Sequence, residues 1–343
     1  MKELIEILTW CRGAGTASES QFVREHIASI EGIKSDGYGN FHLTIGKNPI
    51  IMWSCHTDTV TRKVGRQNVK WADDKVLILH NPQQNQCLGA DDGAGLYIML
   101  ELIKNQKPGH YVFHRDEEIG GQGSMWLSRD NNWTKYIPTS IKATIAMDRC
   151  GTQDIITHQM YQRTASDAFA DSLAIQLPLG MRKDDSGVFT DTANYVDIIG
   201  ECTNLAVGYE RNHGPSESLD TDHVKRLTDA LIMLDETKLD YVRNPGEYEY
   251  ADYGYGYGMY KDYGDPAFTV SRGKRTHEDD DVWDNYHGEG SYPTTGAGNP
   301  TMSLADMVSE APDVAARLIE ELGVSSDEFR AHVYALKGRL IGA

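Results

Sequence analysis

The chain has 343 residues, enough to bury a large hydrophobic core in one or two domains, and its formal net charge is -18 at pH 7. This acidity argues against nucleic-acid binding, which draws its affinity from clustered Lys and Arg, and against anionic membrane surfaces. The sequence has no apolar run of the roughly 18 residues that span a bilayer and no signal-peptide pattern at its start, so a cytoplasmic protein is expected.

The first 243 residues alternate short apolar strands with amphipathic helices, as in a sheet covered by helices on both faces. Strands are predicted over 41–45, 50–54, 76–79, 111–113, 144–147 and 204–207, and helices over 1–11, 19–29, 93–104, 123–129 and 222–237. In the third helix Leu96, Met99, Leu100 and Ile103 recur at helical spacing, which predicts one buried face. Residues 1–243 are therefore predicted to form one α/β domain.

The C-terminal part of the chain differs in composition. Residues 244–300 are rich in Tyr, Gly and acids but poor in aliphatics, which predicts a disordered linker. Residues 301–343 carry apolar side chains at helical spacing from Val314 to Leu340, interrupted at Gly323, which predicts a helical hairpin. Such an apolar surface is expected to dock on the first domain, to mediate oligomerisation or to bind a partner.

The five cysteines are scattered and form no CxxC pair, so the sequence signals neither a disulfide framework nor a structural zinc knuckle. Cys55 precedes His56 and could suggest a cysteine nucleophile. Adjacent residues of a strand point to opposite faces, however, so Cys55 is predicted to lie in the core.

Five short segments with acids or histidines fall at predicted strand ends, where open α/β sheets place their sites. They are SCHTD (54–58), GADDG (89–93), RDEEIGG (115–121), AMDRCG (146–151) and NHGPSE (212–217). Each alone has a structural explanation, because lone histidines are usually packing residues and acidic pairs are usually solvated. Their joint occurrence favours a catalytic metal site.

The chemistry of three of these segments supports that interpretation. The period of two puts His56 and Asp58 on the same side of a strand, where the carboxylate could accept the second ring N–H of a metal-bound imidazole. The small residues of GADDG allow a close approach of the backbone, and a carboxylate there could bridge two cations. Of the adjacent Glu117 and Glu118, one could ligate a metal while the other moves protons.

The order and flanks of these motifs resemble the co-catalytic dizinc exopeptidases, which include bacterial leucyl aminopeptidases and peptidase T. The resemblance covers roughly residues 36 to 220: HxD, a DD pair before a helix, EE followed by Gly, a strand-terminal Asp and a final His, with SDGYGN similar to the family's D-x-x-G-N turn. It implies a three-layer α/β/α fold with a mixed, mostly parallel central sheet. It also implies a metal-dependent hydrolase of peptide or amide bonds.

Carried over residue by residue, the resemblance implies two divalent ions held by His56, Asp91, Glu118, Asp148 and His213. His56 and Asp148 would ligate one ion, Glu118 and His213 the other, and Asp91 would bridge them. Glu117 would be the general base that activates the attacking water, Asp58 would orient His56, and the Asp91–Asp92 bond would be cis. Two histidines with three carboxylates suit zinc, although cobalt or manganese could also occupy such a site.

The spacing of the motifs resembles the compact members of the family. Only 64 residues separate Asp148 from His213, too few for the lid and dimerisation domain of members that resemble peptidase T. Only 34 separate His56 from Asp91, too few for the domain that the self-compartmentalising aminopeptidases insert there. The stretch 186–195 matches the family loosely, with Thr192 where a histidine is common. Without a lid histidine the oxyanion donor would come from elsewhere, and the candidates are Tyr209, Tyr195 and Arg149.

Three functions remain open from the sequence. The first is an aminopeptidase or dipeptidase that acts on peptides, and the second is an N-acyl amino acid deacylase or amidase with the same site. The sequence does not separate them, because the substrate groove lies in loops. The third is a catalytically silent binding module that acts through the Tyr-rich segment and the hairpin, but the retention of every inner site residue argues against it.

Overall fold

The computed structural model describes residues 1–249. Residues 250–300 of the predicted linker and the hairpin predicted over 301–343 lie outside the described residues. Residues 244–249 still pair with the preceding domain, since the Gly246 amide donates to the Val196 carbonyl at 2.9 Å and the Arg163 amide donates to the Glu249 carbonyl at 2.7 Å. Within 1–249 no helix is long and apolar enough to cross a lipid bilayer.

The structure alternates strands and helices along the chain. The strands are β1 (Trp10–Arg12), β2 (Lys34–Ser35), β3 (Phe41–Ile45), β4 (Ile51–His56), β5 (Val64–Arg66), β6 (Val69–Trp71), β7 (Val76–Leu79), β8 (Gly109–His114), β9 (Ala143–Arg149), β10 (Asp154–Ile156), β11 (His158–Gln159), β12 (Gln162–Arg163), β13 (Arg182–Asp184), β14 (Glu201–Ala206), β15 (Tyr209–Glu210) and β16 (Ser218–Asp220). The helices are α1 (Lys2–Leu8), α2 (Ala17–Phe22), α3 (Ala90–Lys104), α4 (Gln122–Ser128), α5 (Asn132–Tyr136), α6 (Asp167–Gln176) and α7 (Thr221–Met233). A π-helical segment (Val23–Ile27) continues α2, and 3-10 turns lie at Asp191–Tyr195 and Glu236–Lys238.

Within the described residues the main sheet has eight strands, in the order β13-β10-β14-β9-β4-β8-β3-β2. Its four central strands, β14, β9, β4 and β8, are mutually parallel. At the edges β3 pairs antiparallel with β8, β2 pairs antiparallel with β3, and β10 pairs antiparallel with β14. The predicted mixed, mostly parallel sheet is therefore confirmed. The parallel core places four carboxyl-terminal strand ends along one edge of the sheet.

Helices cover both faces of this sheet, which makes three layers. Alternate residues of β4 show the division, because Ile51 and Trp53 belong to the core cluster that contains α1, α3 and α7, whereas Met52 belongs to a second cluster with Leu127 of α4. This period of two buries apolar side chains on both sides of the strand, as expected for a central parallel strand. Cys55 is buried in the first cluster, as predicted.

Most predicted elements are present, but the helix predicted over 222–237 ends early, at Met233, and the first helix also differs. The helix predicted over 1–11 ends at Leu8, and Trp10–Arg12 forms a strand that pairs antiparallel with β5. The reason is that Trp10, Cys11 and Arg12 are all buried, and a surface helix cannot bury three consecutive side chains. The predicted strand Val76–Leu79 is present but belongs to a separate four-stranded sheet, in the order β15-β16-β7-β6.

Candidate active site

Five polar segments meet at the edge formed by the parallel strand ends. His56 is the last residue of β4, Glu117 and Glu118 follow β8, and Asp148 is the next-to-last residue of β9. His213 follows β14 and β15, and Asp91 lies at the start of α3, which packs on β4 and β9. The structure thus brings together every residue that the sequence predicted as a metal ligand.

Asp91 lies between the two histidines. Its Oδ1 is 3.0 Å from His56 Nε2 and its Oδ2 is 3.1 Å from His213 Nε2. His56 Nε2 is also 3.4 Å from Asp148 Oδ1, and His213 Nε2 is 3.1 Å from Glu118 Oε2. The cluster therefore has two halves that share Asp91. The Asp91–Asp92 peptide bond is cis, as the resemblance implied.

The donors of this cluster fit divalent cations. The ligand atoms of His56, Asp91 and Glu118 lie within 4.8 Å of one another, and so do those of His56, Asp92 and Asp148. Within residues 1–249, Glu118 Oε1 is buried and has no hydrogen-bond partner, which is costly unless a cation satisfies it. Imidazole and carboxylate donors are typical ligands of zinc and of its divalent substitutes.

The electrostatics of the cluster also favour added positive charge. Burial raises the pKa of Glu117 to about 10 and that of Glu118 to about 7. Hydrogen bonds to Asp91 and Glu118 raise the pKa of His213 to about 11. Burial opposes the ionisation of Asp91, but hydrogen bonds from His213 and His56 outweigh it and hold the Asp91 pKa below its usual range. Divalent cations would neutralise this concentration of acids.

Asp58 makes more contacts than the HxD spacing predicted. Its Oδ1 accepts the Glu117 amide and its Oδ2 accepts the Glu118 amide, each at 3.1 Å. Its carboxylate is 3.7 Å from His56 Nδ1, whose nearer acceptor is the Asp58 backbone carbonyl at 3.1 Å. The Asp58 side chain thus holds the backbone of both glutamates directly, and the Asp58 backbone orients His56.

The turn at SDGYGN fixes the loop that carries the two glutamates. Asp36 Oδ1 accepts the three amides of residues 38–40 at 2.8–3.0 Å, which closes the turn. Asn40 Oδ1 then accepts the Arg115 amide at 3.0 Å, and Asn40 Nδ2 donates to the Gly123 carbonyl at 3.1 Å. Both ends of the 115–123 loop are therefore tied to one buried side chain.

Several contacts to the ligands were missed from the sequence. Thr190 donates to Asp148 Oδ2 at 2.7 Å, and Asn212 donates to Asp91 Oδ2 at 2.7 Å. Asp191 is buried beside the site, 3.3 Å from His114 Nδ1, and burial raises its pKa to about 7. The only sequence signals were that Asn212 adjoins His213 and that Thr190 and Asp191 lie in the loosely matching 186–195 stretch.

The three candidate oxyanion donors have different surroundings. The Tyr195 hydroxyl is 2.7 Å from His114 Nε2, and Arg149 pairs with Asp154 at 3.2 Å. The Tyr209 hydroxyl donates to Asp148 Oδ1 at 3.2 Å. Of these candidates, Tyr209 alone contacts a predicted metal ligand.

Exposed apolar side chains lie close to the 115–123 loop that carries Glu117 and Glu118, here called the glutamate loop. Ile119, next to Glu118, is 59% exposed, Val188 is 63% exposed and Met160 is 61% exposed. The Met160 amide donates to the Gly187 carbonyl at 3.1 Å, and Gly121 lies against the Phe189 ring, so that a Cβ on Gly121 would be 2.4 Å from it. These contacts bring the 119–121, 160 and 187–189 segments together as an apolar rim.

No protein-family profile and no curated protein matches the sequence. Solved structures do match the fold. A tripeptidase from Staphylococcus aureus has a TM-score of 0.56 at 14% identity, and the match covers 67% of this chain and 95% of that chain. Aminopeptidase PepT from Bacillus cereus has a TM-score of 0.55 at 15% identity, with the same coverage of 67% and 95%.

A third similar structure is the TET1 peptidase of Pyrococcus horikoshii, with a TM-score of 0.52 at 15% identity over 67% of this chain and 98% of that chain. That peptidase can assemble into a tetrahedron or a large octahedral shell. The chain therefore shares the three-layer α/β fold of these peptidases, as its motifs predicted.

Proposed function

We propose that this protein is a metal-dependent aminopeptidase or dipeptidase of the co-catalytic dizinc type. The observation that carries the proposal is the position of Asp91 between His56 and His213, with Asp148 and Glu118 on either side. This cluster lies at the carboxyl edge of a sheet whose fold is that of known aminopeptidases. Zinc is the proposed ion, with cobalt or manganese as substitutes.

In the proposed reaction the residues of the site have different roles. Two bound cations would polarise the scissile carbonyl and lower the pKa of the attacking water. Glu117 accepts the proton of that water and delivers it to the leaving amine. Within residues 1–249 the Glu117 carboxylate makes no hydrogen bond, whereas Glu118 is paired with His213, so the two adjacent acids suit different roles. Asp58 fixes the spacing of both acids through their amides.

The apolar rim beside the glutamate loop indicates the substrate class. Ile119, Met160 and Val188 are well exposed, and burial of a substrate side chain against them would contribute binding energy. We therefore expect peptides with an apolar residue next to the cleaved bond to be preferred over peptides with a charged residue there.

Metal content and hydrolysis test the proposal together. Protein reconstituted with zinc, cobalt or manganese should contain two ions per chain by elemental analysis and should release chromophore from leucyl and alanyl chromogenic amides. N-acetyl-leucine separates the two amidase classes, since a deacylase would release acetate and leucine from it, whereas an aminopeptidase needs a substrate with a free α-amino group. Asp91→Asn and His213→Ala should lower the metal content, whereas Asp154→Asn, which alters an acid paired with Arg149 outside the cluster, should not. Full activity in metal-free protein would refute the proposal.

We also propose that the chain self-associates. A peptidase of the same fold forms large assemblies, and the apolar residues predicted for a hairpin over 301–343 would supply a contact surface. Light scattering should give a mass above that of one 38.3 kDa chain. A monomer at all concentrations would refute self-association without affecting the proposed chemistry.

A further inference from the structure

Glu217 is a buried carboxylate near the site that has no role in the chemistry proposed above. It is 1% exposed and lies four residues after His213. Its Oε2 accepts the Gly89 amide at 2.8 Å and its Oε1 accepts the Asp91 amide at 3.0 Å. Within residues 1–249 the partners of this carboxylate are backbone N–H groups rather than a basic side chain.

Burial of the Glu217 carboxylate is energetically unfavourable and requires donors in specific positions. A buried carboxylate without a basic partner is unfavourable unless several donors satisfy it, and burial raises the pKa of Glu217 to about 7. The amides that it accepts are the unpaired donors at the start of α3, where Gly89 has no side chain to cap the helix. Glu217 caps this helix from a segment 128 residues further along the chain.

The capped residues need this support because Asp91 is not held by regular helix geometry. Asp91 has φ -81° and ψ 105°, and Asp92 has φ -110° and ψ 44°, both outside the helical range. The direction of the Asp91 side chain therefore depends on what fixes its backbone amide. That amide is bonded to Glu217.

The segment 212–217 contacts Asp91 at both ends. Asn212 donates to the Asp91 carboxylate at 2.7 Å, His213 lies 3.1 Å from the same carboxylate, and Glu217 holds the Asp91 amide. Segment 212–217 thus contains the predicted ligand His213 and also Glu217, which holds the backbone of the shared ligand Asp91. This anchor links the segment of His213 to the backbone of Asp91.

We infer that Glu217 is a positioning residue of the metal site, whose carboxylate ties residues 89–91 to the segment of His213 and so fixes Asp91 between the two halves of the site. This inference rests on the proposed function, because it concerns the ligand that the two ions would share. Residues that hold metal ligands in place typically affect metal affinity about 10–100-fold when they are changed.

Glu217→Gln tests the inference while it preserves the size of the side chain. A glutamine offers one oxygen, and its NH₂ group would face a backbone N–H, so at least one amide of residues 89–91 loses its acceptor. The matched control is Glu201→Gln. Glu201 is equally buried and accepts the amides of Ser166, Val242 and Arg243 at 2.7–2.9 Å, but it lies at the start of β14, away from the ligand cluster.

Both variants should lower the melting temperature, but only Glu217→Gln should alter the metal site. We expect a loss of metal affinity of about 10–100-fold, measured by competition with a chelator, and a changed visible spectrum of the cobalt-loaded protein. Glu201→Gln should keep the wild-type affinity and spectrum. If Glu217→Gln does not fold, Glu217→Asp takes its place, since it keeps the charge but is one methylene shorter and should pull the Asp91 backbone out of position.

Two results would count against these ideas in different ways. If the Glu217 variant that folds keeps the wild-type affinity and cobalt spectrum, then Glu217 only stabilises the fold and the inference is wrong. If the wild-type protein itself binds no divalent ion, the proposed function fails, and the inference fails with it. The wild-type titration therefore distinguishes the two failures.

Discussion

Replacement of Asn40 by alanine should destabilise the protein and disturb the loop of Glu117 and Glu118. Asn40 is fully buried, and its side chain accepts the Arg115 amide and donates to the Gly123 carbonyl. Alanine leaves both backbone groups without a partner, and each buried unpaired group costs about 1–3 kcal/mol. Because Arg115 is only half-buried, water can reach part of this loop, so we expect the free energy of unfolding to fall by about 2–4 kcal/mol.

Urea denaturation of the metal-free protein measures this loss without interference from bound ions. Asn105→Ala is the control, because Asn105 is exposed and its side chain makes one hydrogen bond within residues 1–249, from Nδ2 to the Glu101 carbonyl. The cost of this change should be within about 0.5 kcal/mol. The Asn40 variant should also lose kcat, since Glu117 lies within the loop that is released. A stability within about 0.5 kcal/mol of wild type would show that the turn does not hold the loop.

Three further predictions concern the base, the pH dependence and the chain end. Glu117→Gln should keep both metals and the fold but lower kcat at least about 10²-fold, because an amide cannot accept the water's proton; near-normal turnover would assign the role elsewhere. Burial lowers the pKa of His110 to about 3, so below about pH 6.5 the unfolded chain takes up a proton that the folded chain does not. The free energy of unfolding should therefore fall by up to about 1.4 kcal/mol per pH unit from pH 6.5 towards pH 3. Denaturation measured across this range should show a less steep fall for His110→Asn. A chain ending at Glu249 should stay folded and hydrolyse small substrates, since every proposed ligand precedes that residue; its insolubility would mean that the C-terminal segment completes the core.

The sequence was sufficient for features that depend on neighbouring residues. Apolar periodicity located the strands Phe41–Ile45 and Val76–Leu79 with their correct ends, and it predicted the buried stripe of α3. The order of the motifs predicted a cluster of His56, Asp91 and His213 at the strand ends, because parallel strands bring such ends to one edge.

Features that depend on residues remote in the chain required the tertiary structure. Trp10–Arg12 is a strand because Val64–Arg66 lies beside it, and no local sequence pattern identifies that partner. The spacing of His56 and Asp58 predicted that the Asp58 carboxylate faces His56, and it lies 3.7 Å from Nδ1. Only the fold shows that the same carboxylate also accepts the amides of Glu117 and Glu118. Glu217 reaches the start of α3 across 128 residues. Periodicity records which face of an element is buried, whereas the partner of a buried polar group is decided only when distant segments pack together.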